Sequence, residues 1–286
     1  MSLIRVVSYN IHKGRSSLGR YESLNDLRLG LYGLRPDLVF LQEVQGRNES
    51  SSFLHAQHES LGAALRLNVA YGRNAVRTDT DHGNALLSRY TILDHYNQDI
   101  SDHRLEQRGL LHARIDVNGT EVHCLVVHLG LFASSRQRQI QALIDRIRET
   151  VPDDAPLLIA GDFNDWGDKL APLFVQQLSL YEVFSYAPRS SGGELPRLRD
   201  SMRKLTNVLR GVPGNAAVFE RSNQLGMGGA YCPLPPPRTF PAVFPWFRLD
   251  RIYQRGFAVR SARVLRGRQW AKLSDHAPLL TELELP

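Results

Sequence analysis

Polar residues able to move protons or bind metal ions stand at the ends of short apolar runs throughout this chain of 286 residues. The runs are rich in Val, Ile and Leu and predict strands, so each polar residue lies where a strand ends or begins. A buried carboxylate or imidazole is costly unless another group pairs with it. The combination therefore indicates one shared polar centre along an edge of the sheets, formed by Asn10, Glu43, His128, Asp162, Asn164, Asp250, Asp275 and His276.

The motifs around these residues resemble those of the DNase-like endonuclease/exonuclease/phosphatase superfamily. Asn-Ile after the first strand, LQE, a strand ending in His-Leu, GDFN, LDRIY and SDHAPL occur here in the family's order. The resemblance extends from residue 3 to residue 283, and the segments YNIHKG, FLQEVQG, GDFNDW and RTFPA are similar to those of a bacterial subgroup. It implies a metal-dependent hydrolase that acts on phosphate ester bonds.

The resemblance implies a Mg²⁺ site, with Mn²⁺ as a substitute. Mg²⁺ prefers oxygen ligands, and it neutralises the charge on phosphoryl oxygens while a water molecule attacks. Glu43 in LQE is the first expected ligand, the amide oxygen of Asn10 lies close by, and Asp275 is expected to reach the metal. Whether one or two metal ions take part stays open.

The same resemblance assigns the catalytic residues. Asp162 and Asn164, two positions apart beyond a strand, are expected to orient the attacking water and to hold the phosphate or the metal. Asp250 is expected to fix the tautomer of His276, as carboxylates do in other His–carboxylate pairs. This dyad acts either as a general base or by polarising the phosphate, and His128 is expected to protonate the leaving group.

Residues next to these motifs are candidates for substrate binding. His12 and Lys13 follow Asn10 directly and should face the substrate. Arg108 either holds a phosphate or forms a salt bridge between a loop and the core. Thr239, in RTFPA, is expected to line the pocket together with the Phe that follows it, unless that ring belongs to the core.

The elements that must position these residues alternate irregularly between strands and helices. Amphipathic helices are predicted at 24–34, 51–65 and 134–150. Consecutive strands without a helix between 84 and 128 favour a mixed sheet over a simple parallel array. The expected fold is an α/β four-layer sandwich of two mixed β-sheets flanked by helices, with strands at 3–8, 38–41, 84–88, 110–117, 121–128, 156–160, 249–253, 259–265 and 277–283.

The chain is expected to form a single domain, residues 1–286, with an inserted excursion at about 190–237. This segment is rich in Gly, Pro and Arg and contains the amphipathic stretch LPRLRDSMRKLTNVLRG. Pro and Gly on both sides of one basic helix indicate a surface insertion rather than a second domain. The helix either docks on the body with a solvated basic face or contacts a substrate or a membrane.

Composition indicates an anionic partner. The net charge of +6 and the isoelectric point near 9.5 favour nucleic acid, phospholipid or a phosphorylated metabolite over a cationic partner. The two cysteines give no disulfide framework, and the N-terminus has no signal-peptide pattern. No apolar run reaches the roughly 20 residues needed to span a bilayer. A cytoplasmic location is expected, and the oligomeric state stays open.

Three functions compete at this level. The favoured one is a phosphodiesterase or nuclease, cutting in endo or exo mode, with an exposed groove for nucleic acid. The first alternative is a phosphatase or phosphodiesterase directed at phospholipids or small molecules, similar to sphingomyelinases; the second is a non-catalytic nucleic-acid-binding protein. The complete set of motif residues argues against loss of turnover, while the absence of an aromatic-rich stacking platform near the motifs weakens the nucleic-acid interpretation.

Overall fold

The computed structural model describes residues 2–49, 54–103, 106–167, 170–187 and 235–286. These residues belong to one compact unit made of 1–187 and 235–286. The predicted excursion at 190–237, with its basic helix, lies outside the described residues except for its last three positions. Its status as an insertion in a single domain therefore stays a prediction.

Twelve described strands form two six-stranded mixed sheets. The strands are β1 (Ser2–Asn10), β2 (Leu38–Asn48), β3 (Asn68–Val76), β4 (Thr80–Ser88), β5 (Thr91–Asp99), β6 (Gly109–Val117), β7 (Thr120–His128), β8 (Leu157–Asp162), β9 (Tyr181–Glu182), β10 (Asp250–Arg255), β11 (Ala258–Val264) and β12 (Leu279–Leu285). The first sheet has the order β11-β12-β1-β2-β4-β3, and the second has the order β5-β6-β7-β8-β10-β9. Each sheet has one central parallel pair, β1 with β2 and β7 with β8, and its other pairs are antiparallel.

Six helices are described, together with a short 3₁₀ turn at His12–Gly14. They are α1 (Leu24–Leu34), α2 (Gln57–Leu65), α3 (Ala133–Thr150), α4 (Ala171–Leu178), α5 (Val183–Tyr186) and α6 (Arg268–Ala271). None of the helices in the described part of the chain is both long enough and apolar enough to pass through a membrane.

The alternation of side chains along the strands divides the core into three layers. Val6 and Phe40 of the first sheet meet Val126 and Ala160 of the second in the layer between the sheets. The outer face of the first sheet packs with α1 and α6. The outer face of the second packs with α3, through Ile140, Leu143, Ile144 and Ile147, and with α4. Helices thus cover both outer faces, which confirms the predicted four-layer α/β sandwich.

The sequence-based elements agree with this fold where the apolar pattern is strong. The helix predicted at 24–34 is confirmed at both ends, and α3 begins one residue earlier than predicted. The helix predicted at 51–65 is wrong at 54–56, because α2 begins only at Gln57, after Ala56 adopts a left-handed φ of 49°, and positions 51–53 lie outside the described residues. Strands β3 and β5 were not predicted; most side chains of β5 are exposed, so it lacks an apolar stripe.

Candidate active site

Strand register places three of the predicted catalytic residues side by side. His128 at the end of β7 lies opposite Asp162 at the end of β8, and Asp162 lies opposite Asp250 at the start of β10. Side chains two positions earlier or later on these strands, including Ala160 and Ile252, belong to the layer between the sheets. Because side chains alternate along a strand, all three polar residues continue that apolar layer at its end. The sheets therefore converge on a buried polar pocket.

His276 is held between two carboxylates in this pocket. Its Nδ1 lies 2.9 Å from Asp250 Oδ2, a hydrogen bond buried on both sides, and its Nε2 lies 3.6 Å from Asp162 Oδ2. The bond to Asp250 fixes the orientation of the ring and leaves Nε2 turned towards Asp162. The expected pairing of Asp250 with His276 is thus present as a contact, while its catalytic role stays a prediction.

The pKa values of the two histidines beside Asp162 are shifted in opposite directions. Burial alone would lower the pKa of His276, but the charges of Asp250 and Asp162 raise it to about 10. Burial, and then the charge of Arg108, lowers the pKa of His128 well below its ordinary value. His128 Nε2 lies 3.6 Å from Asp162 Oδ2. At neutral pH the site therefore holds an imidazolium and a neutral imidazole on either side of one carboxylate.

Asp162 itself is a carboxylate with a raised proton affinity. Burial raises its pKa to about 6, and Asp250 adds to this effect while His276 opposes it. Its Oδ2 accepts a bond of 3.3 Å from Asn10 Nδ2. A carboxylate with a pKa close to neutrality suits proton transfer at physiological pH.

The GDFN motif shapes the backbone around Asp162. A Cβ on Gly161 would stand 1.9 Å from the carbonyl oxygen of Val127, so only glycine fits against β7 at this point. Asn164 has a left-handed φ of 49°, its backbone N–H donates to Asp162 Oδ1 at 3.0 Å, and its Nδ2 donates to the carbonyl of Leu129 at 2.8 Å. Asn164 thus fixes the Asp162 carboxylate, and its predicted contact with a phosphate or metal stays a prediction.

Glu43 reaches the site because β2 is irregular. Strict alternation would turn Glu43 to the helix-covered face with Leu41, but the register with β4 shifts between Leu41 and Val44, and Glu43 adopts a left-handed φ of 53°. Lys13 Nζ lies 3.0 Å from Glu43 Oε2. Burial would raise the pKa of Glu43, but the charges of His128 and Lys13 lower it below its ordinary range, and of these two Lys13 is the permanent cation.

Asp275 lies on a segment that is bonded to the end of β1. Ser274 Oγ donates to the carbonyl of Asn10 at 2.7 Å and accepts from the backbone N–H of His276 at 3.2 Å. Asp275 Oδ1 lies 3.9 Å from His12 Nδ1, and the backbone N–H of His12 donates to Asn10 Oδ1 at 3.1 Å. These bonds hold the segment 274–276 against the end of β1.

The donor set near Lys13 fits a hard divalent cation. Glu43 and Asp275 supply carboxylate oxygens, and both act electrostatically on His276. The Lys13 ammonium already occupies the position of a cation against Glu43, which shows that this carboxylate is built to face positive charge. Oxygen ligands with access to water are what Mg²⁺ prefers. In the described part of the chain, however, the tightest cluster of ligand atoms, within 4.8 Å of one another, is Asp162, Asp250 and His276.

That tight cluster is less suited to Mg²⁺ than the Glu43 side. His276 Nδ1 is taken up by its bond to Asp250, and the raised pKa of His276 keeps a proton on the ring, which a metal would have to displace. Against this, Asp250 Oδ1 is buried without a hydrogen-bond partner, so the cluster keeps one oxygen that a cation could take up. Glu43, Asn10 and Asp275 therefore stay the predicted ligands.

Two predicted substrate contacts have structural partners. Arg108 Nη2 lies 3.0 Å from Glu106 Oε1, a salt bridge within the loop between β5 and β6, and its Nε donates to the carbonyl of Leu129, which follows β7. Thr239 is fully buried and its hydroxyl accepts a bond of 3.4 Å from the backbone N–H of Asp250. These contacts support the strands around the site, and substrate binding by either residue stays a prediction.

The structure adds two features that the sequence did not reveal. His82 on β4 is half-buried near Lys13 and Glu43, and burial lowers its pKa to about 4. Phe240 contacts the ring of His276 with centroids 4.9 Å apart, and further exposed aromatic rings adjoin it, while the expectation that no base-stacking platform lies near the motifs stays a prediction. The run FPAVFPWF was visible, but its place beside His276 depends on the fold.

Comparison with known proteins identifies the family of this chain. A sequence model described as the Endonuclease/Exonuclease/phosphatase family matches residues 7–276. The Escherichia coli (strain K12) protein YbhP, itself uncharacterised, is 35% identical over 290 residues, which cover 98% of this chain and 96% of YbhP.

Two solved structures show the same fold at low sequence identity. The endonuclease/exonuclease/phosphatase from Bacteroides vulgatus is 18% identical, with a TM-score of 0.70 and complete coverage of both chains. D. rerio TDP2 complexed with a single-strand DNA product is also 18% identical, with a TM-score of 0.62 over 99% of this chain and 100% of that chain.

Proposed function

Because this chain belongs to the endonuclease/exonuclease/phosphatase family, we propose that it is a Mg²⁺-dependent phosphodiesterase that hydrolyses its substrate by direct attack of water. The observation that carries the proposal is Asp162, a buried carboxylate with a pKa near 6, placed between a protonated and a neutral histidine. Neighbouring titratable groups whose pKa values are shifted in opposite directions by their surroundings are typical of acid–base catalysis.

Asp162 is the proposed general base. Its raised pKa makes it basic enough to accept a proton from water while it is still ionised at neutral pH. Asn164 and Asn10 hold the carboxylate through the bonds to Oδ1 and Oδ2, so its acceptor direction is fixed before a substrate arrives.

His276 is proposed to contact a non-bridging phosphoryl oxygen through Nε2. Since its pKa is raised to about 10, it carries a proton at neutral pH and cannot serve as the base. Asp250 compensates the charge of the imidazolium and keeps Nε2–H directed into the pocket. A fixed positive donor at the place where negative charge develops stabilises the transition state.

The remaining residues are proposed to manage charge and the leaving group. His128, the neutral imidazole, is proposed to hydrogen-bond the leaving oxygen, and the proton that Asp162 takes from the attacking water neutralises that oxygen once its bond to phosphorus breaks. Lys13 and His12 meet the phosphate from the exposed side. A Mg²⁺ ion held by Glu43, with Asn10 and Asp275, would supply charge neutralisation on the phosphoryl oxygens.

An assay with the purified chain tests this proposal. With Mg²⁺ or Mn²⁺, bis(p-nitrophenyl) phosphate and at least one natural class among single- and double-stranded DNA, RNA and phospholipid should be hydrolysed; EDTA should stop the reaction and added Mg²⁺ should restore it. A metal-independent rate, or release of phosphate from monoesters alone, would contradict the proposal. TDP2's structure with a single-strand DNA product and the net charge of +6 are reasons to include nucleic acid among the substrates.

A further inference from the structure

Five exposed apolar side chains form a surface beside the pocket. Val243, Phe244, Trp246 and Phe247 are 70%, 57%, 55% and 39% exposed, and Trp166 is 57% exposed. Rings join them, since Trp166 and Phe247 have centroids 5.1 Å apart and Phe244 and Trp246 are 5.0 Å apart. These five residues are called the apolar rim below. Exposed apolar surface of this kind marks a binding surface on a soluble protein.

The apolar rim is continuous with the catalytic pocket. Phe247 lies 6.4 Å from Phe240 between ring centroids, and Phe240 in turn contacts His276. The backbone N–H of Ala242 donates to the carbonyl of Asp275, and the carbonyl of Thr239 accepts from Ala277. Trp166 follows Asn164 by two positions. Whatever covers the apolar rim therefore lies close to His276.

The chemistry of the apolar rim favours a lipid surface over nucleobases. Its most exposed member, Val243, is aliphatic and has no ring to stack. The Phe244 and Trp246 rings meet at 71° and the Trp166 and Phe247 rings at 41°, so neighbouring rings are inclined to each other and form no continuous parallel platform for successive bases. Trp and Phe mixed with aliphatic residues are typical of the membrane–water interface.

The charges around the apolar rim indicate the kind of lipid. Residues 239–247 contain no charged side chain, and Arg238 and Arg248 stand directly on either side of this run. No acidic residue occurs between 235 and 249; Trp166, on a separate segment, follows Asp165, which is buried and accepts from the backbone N–H of Leu170. Basic residues next to an inserted apolar loop are attracted to anionic headgroups, and the whole chain carries +6.

We propose that the apolar rim inserts into the surface of an anionic phospholipid bilayer and seats the active site on the headgroup layer. The phosphodiester that reaches Asp162 and His276 would then be that of a phospholipid headgroup, an assignment that rests on the proposed phosphodiesterase function. The docking itself does not depend on turnover.

Vesicle binding by the full chain in EDTA tests the docking. The chain should co-sediment with phosphatidylglycerol-containing vesicles more than with pure phosphatidylcholine vesicles. Trp246 emission should shift to the blue on binding, read in the Trp166→Phe variant, because Trp270 is buried. The variant F244S/W246S should bind at least about tenfold more weakly, since two large apolar side chains no longer enter the interface. The matched control L29S/Y32S, exposed apolar positions on α1, should bind like the parent.

Each outcome separates the two proposals. Failure of the parent to bind vesicles of either composition, or equal loss in the L29S/Y32S control, overturns the docking. Loss of single-stranded DNA binding in F244S/W246S, with no vesicle binding by the parent, overturns it in favour of a nucleic-acid surface. F244S/W246S should still hydrolyse bis(p-nitrophenyl) phosphate at the parental rate with Mg²⁺. If the parent binds vesicles through the apolar rim but hydrolyses no phosphodiester, the docking stands and the phosphodiesterase function fails.

Discussion

The two sheets contribute unlike halves to the same pocket. The half carried by the second sheet is closed: the side chains of Asp162 and Asp250 are 3% and 2% exposed, and His276, bonded to Asp250, is 6% exposed. The half carried by the first sheet is the more open one, since the side chains of Glu43 and Lys13 are 19% and 37% exposed, although Glu43 Oε2 itself is buried against Lys13. Burial shifts the pKa values of ionisable side chains, whereas a hydrated cation needs access to water.

The backbone also differs between the halves, although Asn164 beside Asp162 has a left-handed φ of 49° as well. Asp162 and Asp250 lie on regular strands in direct register, so ordinary alternation aims them. His12, Lys13 and Glu43 all have left-handed φ values, of 48°, 57° and 53°. Such conformations are uncommon away from glycine and persist where the surroundings impose them. In the proposed function, the closed half performs proton chemistry on a rigid frame, while the open half brings charges to a cation and a phosphate.

The largest effect is expected from breaking the closed half. Asp250→Asn and His276→Ala should each lower kcat by about 10³-fold or more, because the donor to the phosphoryl oxygen loses its charge or its orientation. The double variant should lose little beyond the worse single variant, since residues that act as one unit are not additive. Steady-state rates on a soluble phosphodiester measure this, with circular dichroism to confirm folding.

The control for that comparison is an exposed histidine on the same sheet. His95→Ala, on β5, should leave the rate unchanged. If the losses from Asp250→Asn and His276→Ala instead multiply in the double variant, the two residues work separately, and the closed half is not a single catalytic unit.

Removing the Glu43 carboxylate should weaken metal binding directly and should lower the hydrolysis rate only as a consequence of the weaker binding. Glu43→Gln is expected to weaken Mn²⁺ binding by on the order of 100-fold, measured by calorimetry without substrate, because the charged oxygen donor is lost. The rate at low Mg²⁺ should fall accordingly and recover in part at high Mg²⁺. Glu49→Gln, just beyond β2 and exposed, is the matched control. Unchanged affinity in Glu43→Gln would move the metal to the Asp162–Asp250–His276 cluster.

The closed half was predictable from sequence and the open half only partly so. A polar residue after an apolar run locates a strand end, and alternation then brings Asp162 and Asp250 together once the strands are paired. Alternation does not predict the direction of the Glu43 side chain, because the irregularity in β2 that sets this direction depends on pairing with β4. The LQE motif named the residue without explaining its direction. The position of His82 beside Glu43 depends on the same long-range pairing.

A pH titration distinguishes the halves without any substrate. The folded pKa of His276 is raised from 6.5 to about 10, so the stability contributed by its protonation is fully present below about pH 6.5 and is lost as pH rises through about 10. In EDTA, the difference in the free energy of unfolding between the parent and His276→Gln should therefore shrink across this window. Urea unfolding at several pH values measures it, and a constant difference would show that His276 is not charged in the folded protein.

The smallest effect is expected from Lys13, the most exposed charge of the pocket. Lys13 and a metal ion compete for the same Glu43 oxygen, so Lys13→Gln should tighten Mn²⁺ binding by roughly two- to fivefold, the value of an exposed ion pair. In the parent, a metal ion bound to Glu43 releases the Lys13 ammonium, which is then expected to contact the phosphate. Loss of this ammonium in Lys13→Gln should raise KM by a similar factor while kcat stays constant. Calorimetry and initial rates measure the two changes, and Lys272→Gln, also exposed, should show neither. Weaker metal binding in Lys13→Gln would mean that Lys13 positions Glu43 for the cation instead of competing with it.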